Sequence, residues 1–117
     1  MAGSERRRNP RHLCSHLVEI AWRDAEGGAR SLKALLEDLS PEGAAVAVEE
    51  PLERGVAVEV DAGGFRADAV VRYRIPREND FRLGLEFTGP CRWSEGEWRP
   101  DHLYLPGQPS KKRGSRR

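Results

Sequence analysis

Long apolar runs are missing from this sequence. No stretch approaches the ~18 consecutive apolar residues a membrane-spanning helix needs. The N-terminus, Met1-Ala2-Gly3-Ser4-Glu5 followed by arginines, lacks the apolar core of a secretory signal. The expected compartment is the cytoplasm. Cysteine is scarce: Cys14 and Cys91 stand alone, without the spacing of a disulfide framework or a zinc site, and read as small apolar side chains in a reducing compartment. The three histidines, His12, His16 and His102, are scattered and form no metal-ligand pattern, so no metal or cofactor is expected. Also absent are a Gly-rich phosphate loop, a Cys/His/acid constellation and a carboxylate pair in a pocket pattern. The chain is therefore not expected to be an enzyme. Aromatics are only 7%, and the strand-like stretches lack the repeated exposed rings on which nucleic-acid bases stack.

Charge is what the sequence has in quantity: 33% of the residues. It is unevenly placed. Residues 1–11 hold four arginines and one glutamate, residues 111–117 hold five basic groups, and the net charge of the whole is only +1. The 117 residues suit one domain with short tails, here an acidic body with basic ends. Basic ends favour an anionic partner.

Hydrophobic periodicity gives the body its class. Residues 1–11 carry almost nothing apolar and read as a flexible arginine-rich arm. From His12 to Arg23, Val18, Ile20 and Trp22 alternate with Glu19, Ala21 and Arg23, a half-buried strand. Asp24–Gly28 is a hairpin turn. Arg30–Glu37 is ambiguous, because Leu32, Leu35 and Leu36 also fit helical spacing; its shortness and its neighbours favour a strand. Ala44–Val48, Val56–Asp61, Phe65–Ile75 and Phe81–Phe87 complete six strands. In the fifth, Ala67, Ala69, Val71, Tyr73 and Ile75 are expected on one side. Short strands joined by turns predict an all-β, six-stranded antiparallel barrel over residues 12–88, whose closure removes exposed edges. Residues 89–109 are too rich in Pro and Gly for a long element and too apolar for a free linker. They are expected to lie back on the barrel, with one helical turn begun by Ser94 and Glu97 at capping-box spacing. Residues 110–117 read as a disordered basic tail.

Two polar stretches stand out. Asp38-Leu39-Ser40-Pro41-Glu42-Gly43 reads as a short turn between apolar runs, with an acid, a hydroxyl and a glycine in fixed order. Gly43 permits φ > 0 or a close backbone approach. Upstream, Arg6-Arg7-Arg8-Asn9-Pro10-Arg11 places Arg7 and Arg11 four apart. Arginines on a flexible lead-in and an Asp/Ser/Gly turn are placed to converge on one anionic, guanine-like ligand.

With the strands, this constellation resembles the PilZ domain family, cytoplasmic bacterial receptors for cyclic di-GMP. Arg7-Arg8-Asn9-Pro10-Arg11 is similar to the family's Arg-x-x-x-Arg motif, and Arg6 gives the common Arg-Arg-x-x-x-Arg form. Asp38, Ser40 and Gly43 match its Asp/Asn-x-Ser-x-x-Gly. Gly84-Leu85-Glu86-Phe87 looks like its closing strand. The resemblance covers residues 5 to 88. It implies a barrel with the arginine arm over one mouth and the Asp/Ser turn beside it. The chain departs from the family at the end: the helix many members carry after the last strand is not evident.

The resemblance implies cyclic di-GMP as the ligand and Arg6, Arg7, Arg11, Asp38, Ser40 and Gly43 as the residues that bind it. The chemistry agrees. A guanidinium fork can donate two hydrogen bonds to guanine O6 and N7 or to phosphate oxygens, and its flat face stacks on purines. Arg6 or Arg8 would add charge toward phosphate. Asp38 is acceptor-only when ionised and suits the N–H donors of a guanine edge; it could equally hold an arginine in place. Ser40 can serve guanine or phosphate. Binding is expected to order the arm, at an entropic cost, and so to signal to an unidentified protein partner. Two alternatives stand beside this: a PilZ-like scaffold that binds protein only, and a small nucleic-acid-binding barrel clamped by its basic ends, which the acidic body and the missing aromatics disfavour.

Overall fold

The structure, a computed structural model, describes residues 11–90 and 92–103. Six strands follow one another: β1 His12–Arg23, β2 Ala29–Ser40, β3 Gly43–Val48, β4 Ala57–Asp61, β5 Arg66–Pro76 and β6 Phe81–Phe87. Every pairing is antiparallel, and the sheet closes in the order β1-β2-β3-β6-β5-β4. The barrel expected from the sequence is the barrel observed. Among the described residues no helix is long and apolar enough to cross a membrane.

Alternation builds the core. Val18 and Ile20 of β1, Leu36 and Leu39 of β2, Val46 and Val48 of β3, Val58 and Val60 of β4, Ala67, Ala69 and Val71 of β5, and Leu83, Leu85 and Phe87 of β6 meet inside. The ambiguous leucine stretch is strand throughout. Leu36 turns inward, while Leu35 faces Leu17 across the β1–β2 ladder. Cross-strand pairing overrides the helical spacing that the same leucines suggest.

Three register irregularities break the alternation: one between Leu13 and His16 in the β1–β2 ladder, and two that shape the site. Of these two, one lies between Leu36 and Asp38 in the β2–β3 ladder. The other lies between Val71 and Tyr73 in the β5–β6 ladder. The second corrects the expected face of β5. Val71 is buried, but beyond the irregularity Tyr73 lies over Gly84 and Ile75 is 48% exposed. An extra residue in one strand reverses every side chain after it.

The antiparallel order gathers the start of β1, the β2–β3 turn, the β4–β5 turn and the end of β6 at one mouth. Residues 92–103 cross this mouth. The Trp93 N–H donates to the Pro41 carbonyl at 3.2 Å, and its indole N–H donates to the Trp98 carbonyl at 2.8 Å. Trp98 stacks on Phe65 at 5.6 Å, and the Ser15 N–H donates to the Asp101 carbonyl at 3.1 Å. His16 clasps the far side: Nδ1 accepts from the Asp101 N–H and Nε2 lies 2.9 Å from the Ala62 carbonyl. Ser94 opens a single turn in which its carbonyl accepts from the Glu97 N–H at 3.0 Å and the Trp98 N–H at 3.3 Å.

Candidate functional site

The site grows from the β2–β3 hairpin. Sequence reasoning places Asp38, Ser40 and Gly43 in a turn; the structure corrects this. Asp38 and Ser40 belong to β2, Gly43 opens β3, and only Pro41 and Glu42 bridge them, because Ser40 and Gly43 already pair as ladder partners. The Ser40 hydroxyl donates to the Gly43 carbonyl at 3.3 Å. The Phe87 N–H donates to the Glu42 carbonyl at 2.8 Å, pinning the turn to the end of β6.

Gly43 is required for close approach. A Cβ there would stand 2.3 Å from the Leu85 carbonyl oxygen of the neighbouring strand, a backbone atom that cannot swing aside. Its φ is not positive: among the described residues the glycines with positive φ are Gly27, Gly55, Gly63 and Gly89. Of the two roles glycine could play at this position, the structure shows the second.

Asp38 owes its direction to the irregularity in β2. Leu36 partners Val46 and Asp38 partners Ala45, so Glu37 is the extra residue. Two successive carboxylates therefore share the outer face, where a regular strand would point them to opposite sides. Asp38 is only 4% exposed because two guanidiniums cover it. Arg82 of β6 donates through Nη2 to Oδ2 at 2.8 Å, and Arg11 Nη1 lies 3.5 Å from the same oxygen. A buried carboxylate without such partners would be costly.

Beside these groups lies an open cavity of about 260 Å³, lined among others by Arg11, Asp38, Ser40, Gly43, Tyr73 and Gly84. Tyr73 forms one wall by lying across Gly84, where a Cβ would fall 2.0 Å from its ring. The cavity thus presents the cations Arg11 and Arg72, the carboxylates of Asp38, Glu42 and Glu86, a hydroxyl and an aromatic ring. The Arg82 guanidinium holds its proton more tightly than usual: burial works against this, but the hydrogen bond with Tyr73 and the negative charges around it, led by Asp38, outweigh it. Cys14, on the β1 side of Asp38, has its thiol pushed up to about 12, first by burial and then by the charges of Asp38 and Glu37. Among the described residues no group of His, Cys, Asp and Glu could hold a metal ion.

Of the six residues singled out in the sequence, the structure brings Arg11, Asp38, Ser40 and Gly43 to one rim. Arg6 and Arg7 lie outside the described residues. Sequence reasoning missed Arg82, Glu37 and Tyr73. Gly84 offered the one signal, since a glycine inside a strand marks a close approach; the residue that approaches it is Tyr73.

A small closed antiparallel barrel with an acid–serine–glycine hairpin beside an arginine lead-in defines a class of domain. The chain belongs to the PilZ domain family, whose model matches residues 5–91. Two solved structures are similar to it. One is the crystal structure of YcgR in complex with c-di-GMP from Escherichia coli, 27% identical with a TM-score of 0.55, the match covering 73% of this chain and 40% of that one. The other is the PilZ domain with c-di-GMP of YcgR from Escherichia coli, 25% identical with a TM-score of 0.53, covering 73% of this chain and 81% of that one. The match thus spans less than half the length of the first of these proteins. No curated protein matches the sequence.

Proposed function

We propose that the chain is a receptor for cyclic di-GMP. The observation that carries this reading is the rim itself: Arg11 already reaches Asp38 at 3.5 Å, at the edge of a cavity that Ser40 and Gly43 also line. Both similar solved structures contain c-di-GMP, which supports the same ligand here. In this reading Arg7 and Arg11, with Arg6 adding charge, clamp guanine and phosphate through their forks. Asp38 accepts from a guanine edge and Ser40 serves guanine or phosphate. Gly43 keeps the hairpin tight against β6. Ligand orders the arm that carries the arginines, and the ordered arm is read by a protein partner.

Calorimetric titration of the full chain with cyclic di-GMP tests this. One class of saturable binding is expected, and Arg7→Ala and Arg11→Ala should each weaken it about ten- to a hundredfold, the worth of a charge-assisted hydrogen bond of roughly 1.5–3 kcal/mol. Arg11→Lys should not restore it, because an ammonium has no fork. Absence of heat with the intact chain would end the proposal.

A second reading, a scaffold that binds protein alone, draws on one specific observation. Asp38 is already paired without any nucleotide, by Arg82 and Arg11. The same titration decides between the two.

A further inference from the structure

Behind Asp38 stands a run of alternating charges that spans the barrel's outer face. It begins at the β5–β6 turn, at the end opposite the Trp93 mouth. There Arg77 donates to both oxygens of Asp80, at 2.8 and 3.1 Å. The same guanidinium donates to both oxygens of Glu37, at 3.2 and 3.1 Å. Arg82 then bridges the two neighbouring acids of β2 with separate nitrogens: Nη1 to Glu37 at 2.7 Å and Nη2 to Asp38 at 2.8 Å. Arg11 closes the run at 3.5 Å from Asp38. The order is Asp80, Arg77, Glu37, Arg82, Asp38, Arg11. It exists because the irregularity after Leu36 puts Glu37 and Asp38 on one face.

We infer that Arg82 is a positioning residue for the nucleotide site, braced by Glu37 and Arg77, and that occupation of Asp38 is transmitted along this ladder to the β5–β6 turn. The inference rests on the reading that Asp38 accepts hydrogen bonds from the nucleotide. A carboxylate can select a guanine edge only if its oxygens are held within a few tenths of an ångström and ~10–20°. Arg82 does this by fixing Asp38 to Glu37 through one planar fork, and Glu37 is itself fixed by Arg77. Both cations on Asp38 meet at Oδ2. An incoming guanine edge, whose N1–H and N2–H donors together engage both carboxylate oxygens, therefore competes with one of them at Oδ2. Arg11, the longer contact and 41% exposed, is the one that yields. Arg82 stays, now sharing Asp38 with the ligand alone, and its division between Asp38 and Glu37 shifts. Glu37 passes the change to Arg77 and the turn.

The test is calorimetry with cyclic di-GMP on the full chain, joined to backbone amide NMR. Arg82→Gln and Arg82→Lys should each weaken binding about ten- to a hundredfold, since each loses one or both charge-assisted bonds to a buried acid. Glu37→Gln, which is one step removed from Asp38, should weaken it about threefold to tenfold in the parent and not at all in an Arg82→Gln background. The amides of Asn79 and Asp80 should shift on titration of the parent chain and stay still in Glu37→Gln. Should Arg82→Gln fail to fold, Arg82→Lys and the Glu37→Gln amide shifts carry the test. Wild-type affinity in the Arg82 variants overturns the inference, and so does tighter binding, which would make Arg82 a competitor of the ligand. Additive effects of Arg82→Gln and Glu37→Gln overturn it too, as would an unmoved turn in the parent. A parent chain that takes up no cyclic di-GMP overturns both this inference and the receptor reading, whereas a binding parent with indifferent Arg82 variants overturns this one alone.

Discussion

The Trp93 mouth and the Asp38 face are made by neighbouring residues, yet they are held by opposite means. His12 packs edge-on against Trp93 at 5.2 Å, while Arg11 beside it reaches out to Asp38. Pro41 gives its carbonyl to Trp93, while Ser40 beside it lines the cavity. At the mouth the contacts are rings: Trp93 is 2% exposed, Trp98 stacks on Phe65, and Phe65 meets Phe87 edge-on. On the face they are ion pairs at the edge of solvent. Ring burial is non-directional and is not screened by salt. Ion pairs are directional, screened by salt and exchangeable for a ligand of the right charge. A receptor needs both: one side that stays shut and one whose partners can be replaced. The comparison teaches that the strand period and its breaks, rather than distance along the chain, decide which residue serves which side.

The comparison breaks most severely at Trp93. Trp93→Ala empties the mouth, and a fully buried tryptophan is worth about 3–5 kcal/mol on truncation. The midpoint of urea unfolding should fall accordingly, by the same amount at low and at high salt. A loss that shrinks with salt would mean that the mouth, too, is held by charge.

Gly43→Ala acts on the other side. Its Cβ meets the Leu85 carbonyl at 2.3 Å, so β3 and β6 must part locally. Overpacking of this kind costs about 1–3 kcal/mol. Because the strain sits under Ser40 and Asp38, cyclic di-GMP affinity should fall further than global stability does. The comparison to make is of binding isotherms with unfolding curves on the same sample. Stability lost with affinity intact would separate the hairpin from the site.

Leu17→Ser sharpens the contrast from the null side. Leu17 is 68% exposed on the outer face of β1, opposite Leu35. Surface substitutions away from special features change stability by less than ~0.5 kcal/mol. Thermal unfolding should show no more than that, and titration should show an unchanged affinity. A large loss would reveal that this face is covered.

The sequence made the barrel legible because period two survives over most of the strand residues, most plainly in β4. Val58 with Val60, and Leu83 with Leu85 and Phe87, need no structure to be read as inward. The family motif was legible for a different reason: Asp38, Ser40 and Gly43 lie within six residues, so their grouping does not depend on the register of the sheet. What was not legible depends on register. Period two puts Tyr73 on the same side as Val71, and one irregularity sends it to the other side to cover Gly84. Glu37 and Asp38 cannot be seen to share a face until the extra residue after Leu36 is placed. Arg82 looks like any outward residue of β6 until the β2-β3-β6 order lets its guanidinium reach across β3 to both acids. Single-residue insertions in a ladder leave no mark on composition or on local propensity, so long-range pairs that pass through them stay hidden.

Cys14 reads the boundary between the two sides from within the barrel wall. Its sulfur sits 3.7 Å from the Leu36 carbonyl, and its thiol is pushed from about 9 up to about 12 by burial, then by Asp38, then by Glu37. The sign of the linkage follows. The folded state holds this proton more tightly than the unfolded chain does. Stability from this source is therefore fully present below pH 9 and is drained as pH rises from there toward 12. Around neutral pH stability does not vary with this titration, which makes its pH dependence the smallest effect of the set. It also makes the native thiol unreactive, because only thiolate attacks alkylating agents. Iodoacetamide at pH 8, followed by site-resolved mass spectrometry, should leave Cys14 unmodified in the folded chain and modify it in urea. The stability difference between the parent and Cys14→Ala should stay flat up to pH 9 and then narrow. Since two of the three causes are the carboxylates of the ion ladder, Glu37→Gln should make Cys14 measurably more reactive at pH 9–10 while Trp93 stays buried. Were the thiol indifferent to Glu37, burial alone would account for its inertness, and the charged face would not reach through the barrel wall.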